Sequence, residues 1–293
     1  MPEVGDYLLT HVGFSRDEKP IISFQKGNSF IDFEPLGQRI AMRFDTSQRH
    51  CTGWRDITTG ERFSCPDSHV VENKYEQCPA CQTRTGFNPA FYNASTVSEQ
   101  QEARNKEPHI LYLARFGDDV VKVGISHAKR ERSRLLEQGA RDALILDTFP
   151  SAHIARQYEA KIASMPGIAE TLQLRKKLSL LEIPYDHKKG EGDLKQTRSR
   201  IEEQLHVSFA DSEVHDLDTS FFPNTQPDLT QSFCSIDQQL LTGRCTGMLG
   251  SLLFCDYKDT PVFLPLKKFI GHHVEITDTE LSLDLPARQI SLF

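Results

Sequence analysis

Four cysteines carry the clearest chemistry in the sequence: Cys51, Cys65, Cys78 and Cys81, with thirteen, twelve and two residues between them. A C-x-x-C knuckle such as Cys78-Pro79-Ala80-Cys81 presents two thiolates to one metal and leaves backbone amides to hydrogen-bond the sulfurs. Two further cysteines from the preceding segment complete a four-sulfur set, for which zinc in a structural role is the default ion. His50 and His69 are alternative ligands, and an iron cluster, a redox C-x-x-C or plain core thiols are the competing readings. A thioredoxin-like strand–helix setting is absent around Cys78. Cys234, Cys245 and Cys255 lack a knuckle spacing and are expected to be buried thiols, and His272-His273 on a strand points two ways and chelates poorly.

The second chemical feature is a basic run. Between Ser126 and Arg141 stand Lys129, Arg130, Arg132, Arg134 and Arg141 against Glu131 and Glu137, a net +3 in a chain whose formal charge is −7. The acidic total argues against a protein that coats nucleic acid by bulk charge, whereas a local cluster can still hold a phosphate. A solvated helix face with mixed charges is the competing reading.

The elements that position this run are legible in order. Ile110 to Phe116 and Val120 to Ile125 are short apolar strands around Gly117-Asp118-Asp119, which supplies hairpin turn chemistry. A helix follows from Ser126 and ends at Gly139. Ala143 to Phe149 reads as a third strand. Ser151 is an N-cap for a helix with Ile154, Tyr158 and Ile162 at four-residue spacing, which puts Glu159 beside its buried stripe.

This order resembles the GIY-YIG nuclease-like superfamily. The first motif corresponds to Ile110-Leu111-Tyr112, keeping the tyrosine. The second corresponds to Lys122-Val123-Gly124, keeping the glycine and placing lysine where the usual second tyrosine stands. Lys-Val-Gly-Ile, then Leu136-Glu137-Gln138-Gly139-Ala140, with cysteines upstream, is similar to the domain of unknown function 2797 family. The superfamily resemblance implies Tyr112 to orient or deprotonate water, Arg132 as phosphate clamp and Glu159 as ligand of a divalent cation, magnesium or manganese. Independently of it, the planar fork of an arginine suits phosphate, and one carboxylate with waters suits magnesium. Lys122 cannot accept a proton when charged and adds a point charge suited to phosphate. Alternation sets it opposite Val121, Val123 and Ile125, where it joins Arg132 in a two-cation clamp, with Arg130 and Arg134 as further phosphate ligands. Bland readings stand beside these: a strand aromatic, a surface arginine, and an exposed Glu159 paired with Arg156 or Lys161.

Around this core the 293 residues, 38% hydrophobic, allow several modules. The expected class is α+β: an antiparallel β module with the zinc site over residues 1–90, a connector over 91–107, and the three-stranded GIY-YIG-like domain with a helical extension over 108–206. An acidic linker over 207–232 and a small SH3-like or OB-like barrel over 233–293 complete it. In the extension, Ile168, Leu172, Leu178 and Leu181 suggest one helix and Leu194, Ile201 and Leu205 another. The runs Arg175-Lys176-Lys177 and His187-Lys188-Lys189 are offset by Glu182, Asp186, Glu191 and Asp193 and read as surface. The N-terminal residues have no signal-peptide pattern and no run reaches membrane-spanning length, so a cytoplasmic protein is expected. The functional expectation is a nucleic-acid-binding protein, DNA or RNA, with metal-dependent phosphodiester cleavage as its enzymatic form. The alternatives are a catalytically silent zinc-containing adaptor and an enzyme of another class using the same site.

Overall fold

The structure, a computed structural model, describes residues 2–72, 74–87, 97–117, 120–130, 132–181, 183–224, 234–235 and 239–285. Asp118 and Asp119 of the expected turn, Glu131, Glu182, the start of the connector (residues 91–96), residues 225–232 of the linker and the Cys234 side chain lie outside them.

In chain order the elements are β1 (Gly5–Phe14), β2 (Pro20–Lys26), β3 (Ser29–Phe33), β4 (Arg39–Asp45), β5 (Trp54–Arg55), β6 (Arg62–Phe63), α1 (Pro79–Thr85) and α2 (Glu99–Asn105). The core follows as β7 (His109–Gly117), β8 (Val120–His127), α3 (Ser133–Gln138), β9 (Asp142–Phe149), α4 (Ala152–Ala163) and β10 (Ile168–Ala169). Then come α5 (Leu174–Leu181), α6 (His187–Leu205), β11 (Val214–Asp216), α7 (Asp218–Phe221), β12 (Cys234–Ser235), β13 (Leu240–Leu249), β14 (Leu252–Tyr257), β15 (Thr260–Pro265) and β16 (His273–Ile276).

The three expected core strands form the centre of a five-stranded sheet, in the order β10-β8-β7-β9-β11. Every residue of β7 is buried, as its unbroken apolar run requires of a central strand covered on both faces. Leu111 and Leu113 turn to one face, packing with Val123, Leu144, Leu146, Ile162, Leu194 and Ile201 under α4 and α6. Ile110, Tyr112, Ala114 and Phe116 turn to the other, a larger core shared with Leu135 and Leu136 of α3 and with the second sheet.

That second sheet corrects the expected modules. The N-terminal strands and the C-terminal strands form one nine-stranded sheet, β12-β15-β14-β13-β4-β16-β1-β2-β3. β13 pairs with β4, Leu240 opposite Arg43, and β16 lies between β1 and β4, with Gly5 opposite Ile276 and Glu275 opposite Arg43. Among the described residues, the strands of 233–293 therefore form one sheet with those of 1–90, in place of a separate barrel and a separate N-terminal module. Each strand set alone would leave open edges and a thin core, and pairing them satisfies both. The acidic linker is corrected in part as well: β11 adds to β9, and Leu217, Phe221 and Phe222 are buried.

Smaller departures have local causes. Ile168 belongs to β10, parallel to β8, not to the helix that follows. The buried stripe of α4 is Ala152, Ala155, Glu159 and Ile162, while Ile154 is exposed. That stripe is rotated relative to the expected Ile154–Tyr158–Ile162 line because Tyr158 instead stacks on Phe149. Cys245 and Cys255 are buried opposite each other, and His272 is buried while His273 is exposed. Among the described residues no helix is long and apolar enough to cross a membrane.

Candidate functional site

Tyr112 is placed by its strand. It sits opposite Gly124, and Ala114 sits opposite Lys122, so Lys122 and Gly124 share its face. The alternation therefore puts Lys122 where the sequence placed it, opposite the buried Val121 and Val123. The need for glycine is steric: a Cβ at position 124 would lie 2.5 Å from the Tyr112 hydroxyl. Gly124→Ala must displace the phenol and is expected to cost about 1–3 kcal/mol. Denaturant unfolding of the variant checks this, and unchanged stability would mean that Tyr112 does not rest on the glycine.

α3 brings the arginine. β8 continues to His127, a 3-10 turn covers Ala128–Arg130, and α3 starts only at Ser133. This break changes which cation reaches the site. Arg132, the expected clamp, turns to Glu18 at 3.2 Å. Lys129 pairs with Glu107 at 2.7 Å, and Arg130 pairs with Glu137. Arg134 is the one beside Tyr112, held by the Gln138 side-chain oxygen at 2.8 Å in the amide orientation that satisfies both groups, and 3.6 Å from Glu137. Gly139 ends α3 in the left-handed conformation, packed against Gly250 of the β13–β14 turn, so the second sheet fixes the helix from behind.

Glu159 enters from α4 and is buried, with Arg156 paired to its carboxylate and also to Glu170 at 2.7 Å. Burial pushes its carboxyl above the usual range, against the pull of Arg156. Tyr112 is likewise raised by burial, opposed by the nearby Arg134. Lys122 donates to the Glu170 carbonyl at 2.5 Å, and burial together with Arg134 lowers it.

Lys177, which the sequence reading left on the surface, belongs here too. It lies over the Phe116 ring at 4.8 Å and donates to the Gln138 carbonyl. Burial and the charges of Lys122, Lys267 and Arg134 bring it down to about 8. The site is thus Tyr112, Lys122, Arg134 and Glu159, joined by Lys177 and Lys267. No local signal identifies the last two, because α5 and the β15–β16 connection reach the site only through the long-range packing of the two sheets.

The four cysteines are brought together as expected. All are buried, and their sulfurs lie within 4.8 Å of one another, Cys65 and Cys78 at 4.0 Å. A tetrahedral thiolate site with metal–sulfur bonds of about 2.3 Å sets its sulfurs about 3.8 Å apart, so the group could hold a structural metal ion. The Cys78 amide donates to the Cys51 sulfur at 3.1 Å. Burial raises Cys51 to about 11, whereas at Cys65 the amides of His69 and Asp67 outweigh burial and bring it to about 6. Of the alternative ligands, the His50 ring packs on His273, whereas the His69 side chain faces Asp67 and also stands beside the Cys65 sulfur.

A further charged group escaped the sequence reading. His187 donates from Nδ1 to Asp142 at 2.7 Å and from Nε2 to Asp218 at 3.0 Å, with Asp216 3.6 Å from Nδ1. Arg141 clamps Asp218, Tyr185 donates to Asp142 at 2.8 Å, and the Tyr185 ring lies under Arg141 and Arg115. Asp142, His187 and Asp216 have metal-ligand spacing, but with both ring nitrogens donating to carboxylates the imidazole is a cation. The group is an ion network that ties β9, α6 and α7 together.

Comparison with curated proteins and with solved structures returns no match. A family model described as "Protein of unknown function (DUF2797)" matches residues 37–274. The match runs from the start of β4, through the four cysteines and the Tyr112 site, into β16, and the chain belongs to the DUF2797 family.

Proposed function

We propose that this protein binds nucleic acid by its phosphates at the Tyr112 site, on a scaffold of GIY-YIG type, with zinc at the four cysteines as a structural ion. The observation that carries the reading is the convergence of Lys122, Arg134 and Lys177 from three elements on Tyr112 and Glu159. Their charges act on one another in a chain whose total is acidic. Cations gathered against their mutual repulsion favour an anion between them. Arginine forks and lysine point charges are the groups that phosphate takes. The cysteine module and α2 add to this surface: Arg55 of β5 and Arg104 of α2 lie close to Arg130, and burial together with neighbouring positive charge lowers both.

Binding is favoured over metal-dependent cleavage. Magnesium or manganese takes carboxylate oxygens and water, and the Glu159 carboxylate is already met by Arg156, which also occupies Glu170. As placed, this donor set does not fit a divalent cation. Cleavage remains the second reading, favoured by the buried carboxyl of Glu159 near the Tyr112 phenol. Glu159→Gln is the variant that separates the two, since cleavage would be lost and binding kept.

The test is titration of the full-length protein against single- and double-stranded DNA and RNA at two salt concentrations. Lys122→Ala is expected to weaken binding about tenfold, or ~1.4 kcal/mol. The slope of log K against log salt should fall by about one. Equal affinity and slope would make Lys122 a solvated strand residue and sink the reading.

A further inference from the structure

Resting on the nucleic-acid reading, we infer that the Tyr112 site takes a phosphoryl group carrying two or more negative charges, such as the terminal phosphate of a strand, in preference to an internal phosphodiester. Each internal phosphate of a strand brings a single charge. Three cations converge along one face of β7: Lys122 from β8 across from Ala114, Arg134 from α3 on the Gln138 side chain, and Lys177 from α5 over the Phe116 ring and on the Gln138 carbonyl. The charge of Lys267 in the 3-10 turn at Leu266–Phe269 acts on Lys177.

The nearby carboxylates are shared among several cations and offset the charge only in part. Glu159 and Glu170 share Arg156, and Glu137 is divided between Arg130 and Arg134. Lys122 and Lys177 give their hydrogen bonds to the main-chain carbonyls of Glu170 and Gln138, which bring no formal charge. One monoanion would leave most of this charge unmatched, whereas a terminal phosphate or a polyphosphate meets it. The strand beneath these cations is apolar and aromatic, with buried Ala114 and Phe116 beside Tyr112 and Lys177 lying over the Phe116 ring. The same chemistry comes from two sources, the end of a nucleic acid or a free di- or triphosphate.

Fluorescence anisotropy on the full-length protein decides it, with one single-stranded oligonucleotide made with a 5′-phosphate, a 3′-phosphate or hydroxyl ends, and inorganic triphosphate as competitor. The expected result is about tenfold tighter binding of one phosphorylated form over the hydroxyl form. Lys177→Gln should abolish that preference. Lys267→Gln, at an exposed turn position, should reduce it and serves if the first variant does not fold. Equal binding of all three forms, displaced by triphosphate, supports the multiply charged ligand with a free polyphosphate as its source. Equal binding with no displacement overturns the inference and leaves the nucleic-acid reading standing. Triphosphate binding measured directly, with no oligonucleotide bound, keeps the inference and overturns that reading; binding of neither overturns both.

Discussion

Replacing Cys78 and Cys81 together by serine, or stripping the metal with a strong chelator, is expected to unfold residues 46–86 while the two sheets stay folded. The reason is the composition of that module's interior. Its buried cluster is the four cysteines themselves, with Trp54 and Val71 only partly buried against it, and its regular structure is a two-residue hairpin and one short helix. A core of that size supplies little apolar burial, and an ion crosslinking the four cysteines would supply the rest. Structural zinc supplies roughly 10–16 kcal/mol in comparable small sites. The readout is built in, because Trp54 is the single tryptophan of the chain and stacks on Phe63 with ring centroids 4.1 Å apart. Its emission should move to the red on chelation while far-ultraviolet circular dichroism changes little, and metal analysis should find about one zinc per chain. Full emission and full stability in the double variant would remove the metal from the account.

The largest loss of global stability is expected from Asp218→Ala, about 3–5 kcal/mol. Asp218 is 3% exposed and answers two cations, the Arg141 guanidinium and the His187 imidazolium, so its removal strands the guanidinium over the Tyr185 ring and leaves the imidazolium with Asp142 as its hydrogen-bond partner. Hydrogen bonds to Asp142 and Asp218 raise His187 from 6.5 to about 10. Because the folded value lies above the free one, the contribution of His187 is complete below about pH 6.5 and is lost as pH rises through about 10. Thermal melts across that window should show stability falling for the wild type and a flatter course for His187→Gln. Parallel curves would mean that His187 is not the charged centre of the network, and a loss below about 1 kcal/mol in Asp218→Ala would mean that its cations find other partners.

Local signals made the core legible. The β7–β8 pair, Gly139 after α3, Ser151 as the cap of α4 and the C-x-x-C knuckle each rest on residues a few positions apart, and each stands where it was expected. Pairings between distant segments were not legible. β4 meets β13 across most of the chain, and both look like ordinary short strands, so neither announces which edge it will cover. The position of the expected clamp arginine was not legible for a different reason. A single helix from Ser126 would give a fixed phase, but the continuation of β8 and the 3-10 turn shift it, so Arg132 points to Glu18 and Arg134 to Tyr112. In sequence the run at Lys177 is balanced by nearby acidic residues and reads as surface, whereas in the fold Lys177 lies over Phe116 and donates to the Gln138 carbonyl.

The most direct measurement of where nucleic acid sits is lysine footprinting: labelling with an amine-reactive reagent, with and without bound oligonucleotide, read by mass spectrometry at each lysine. Protection should centre on Lys122, Lys177 and Lys267, and Lys161 and Lys195, on the outer faces of α4 and α6, should label equally in both samples. Protection confined to those outer lysines, or none anywhere under saturating oligonucleotide, would contradict a phosphate site at Tyr112.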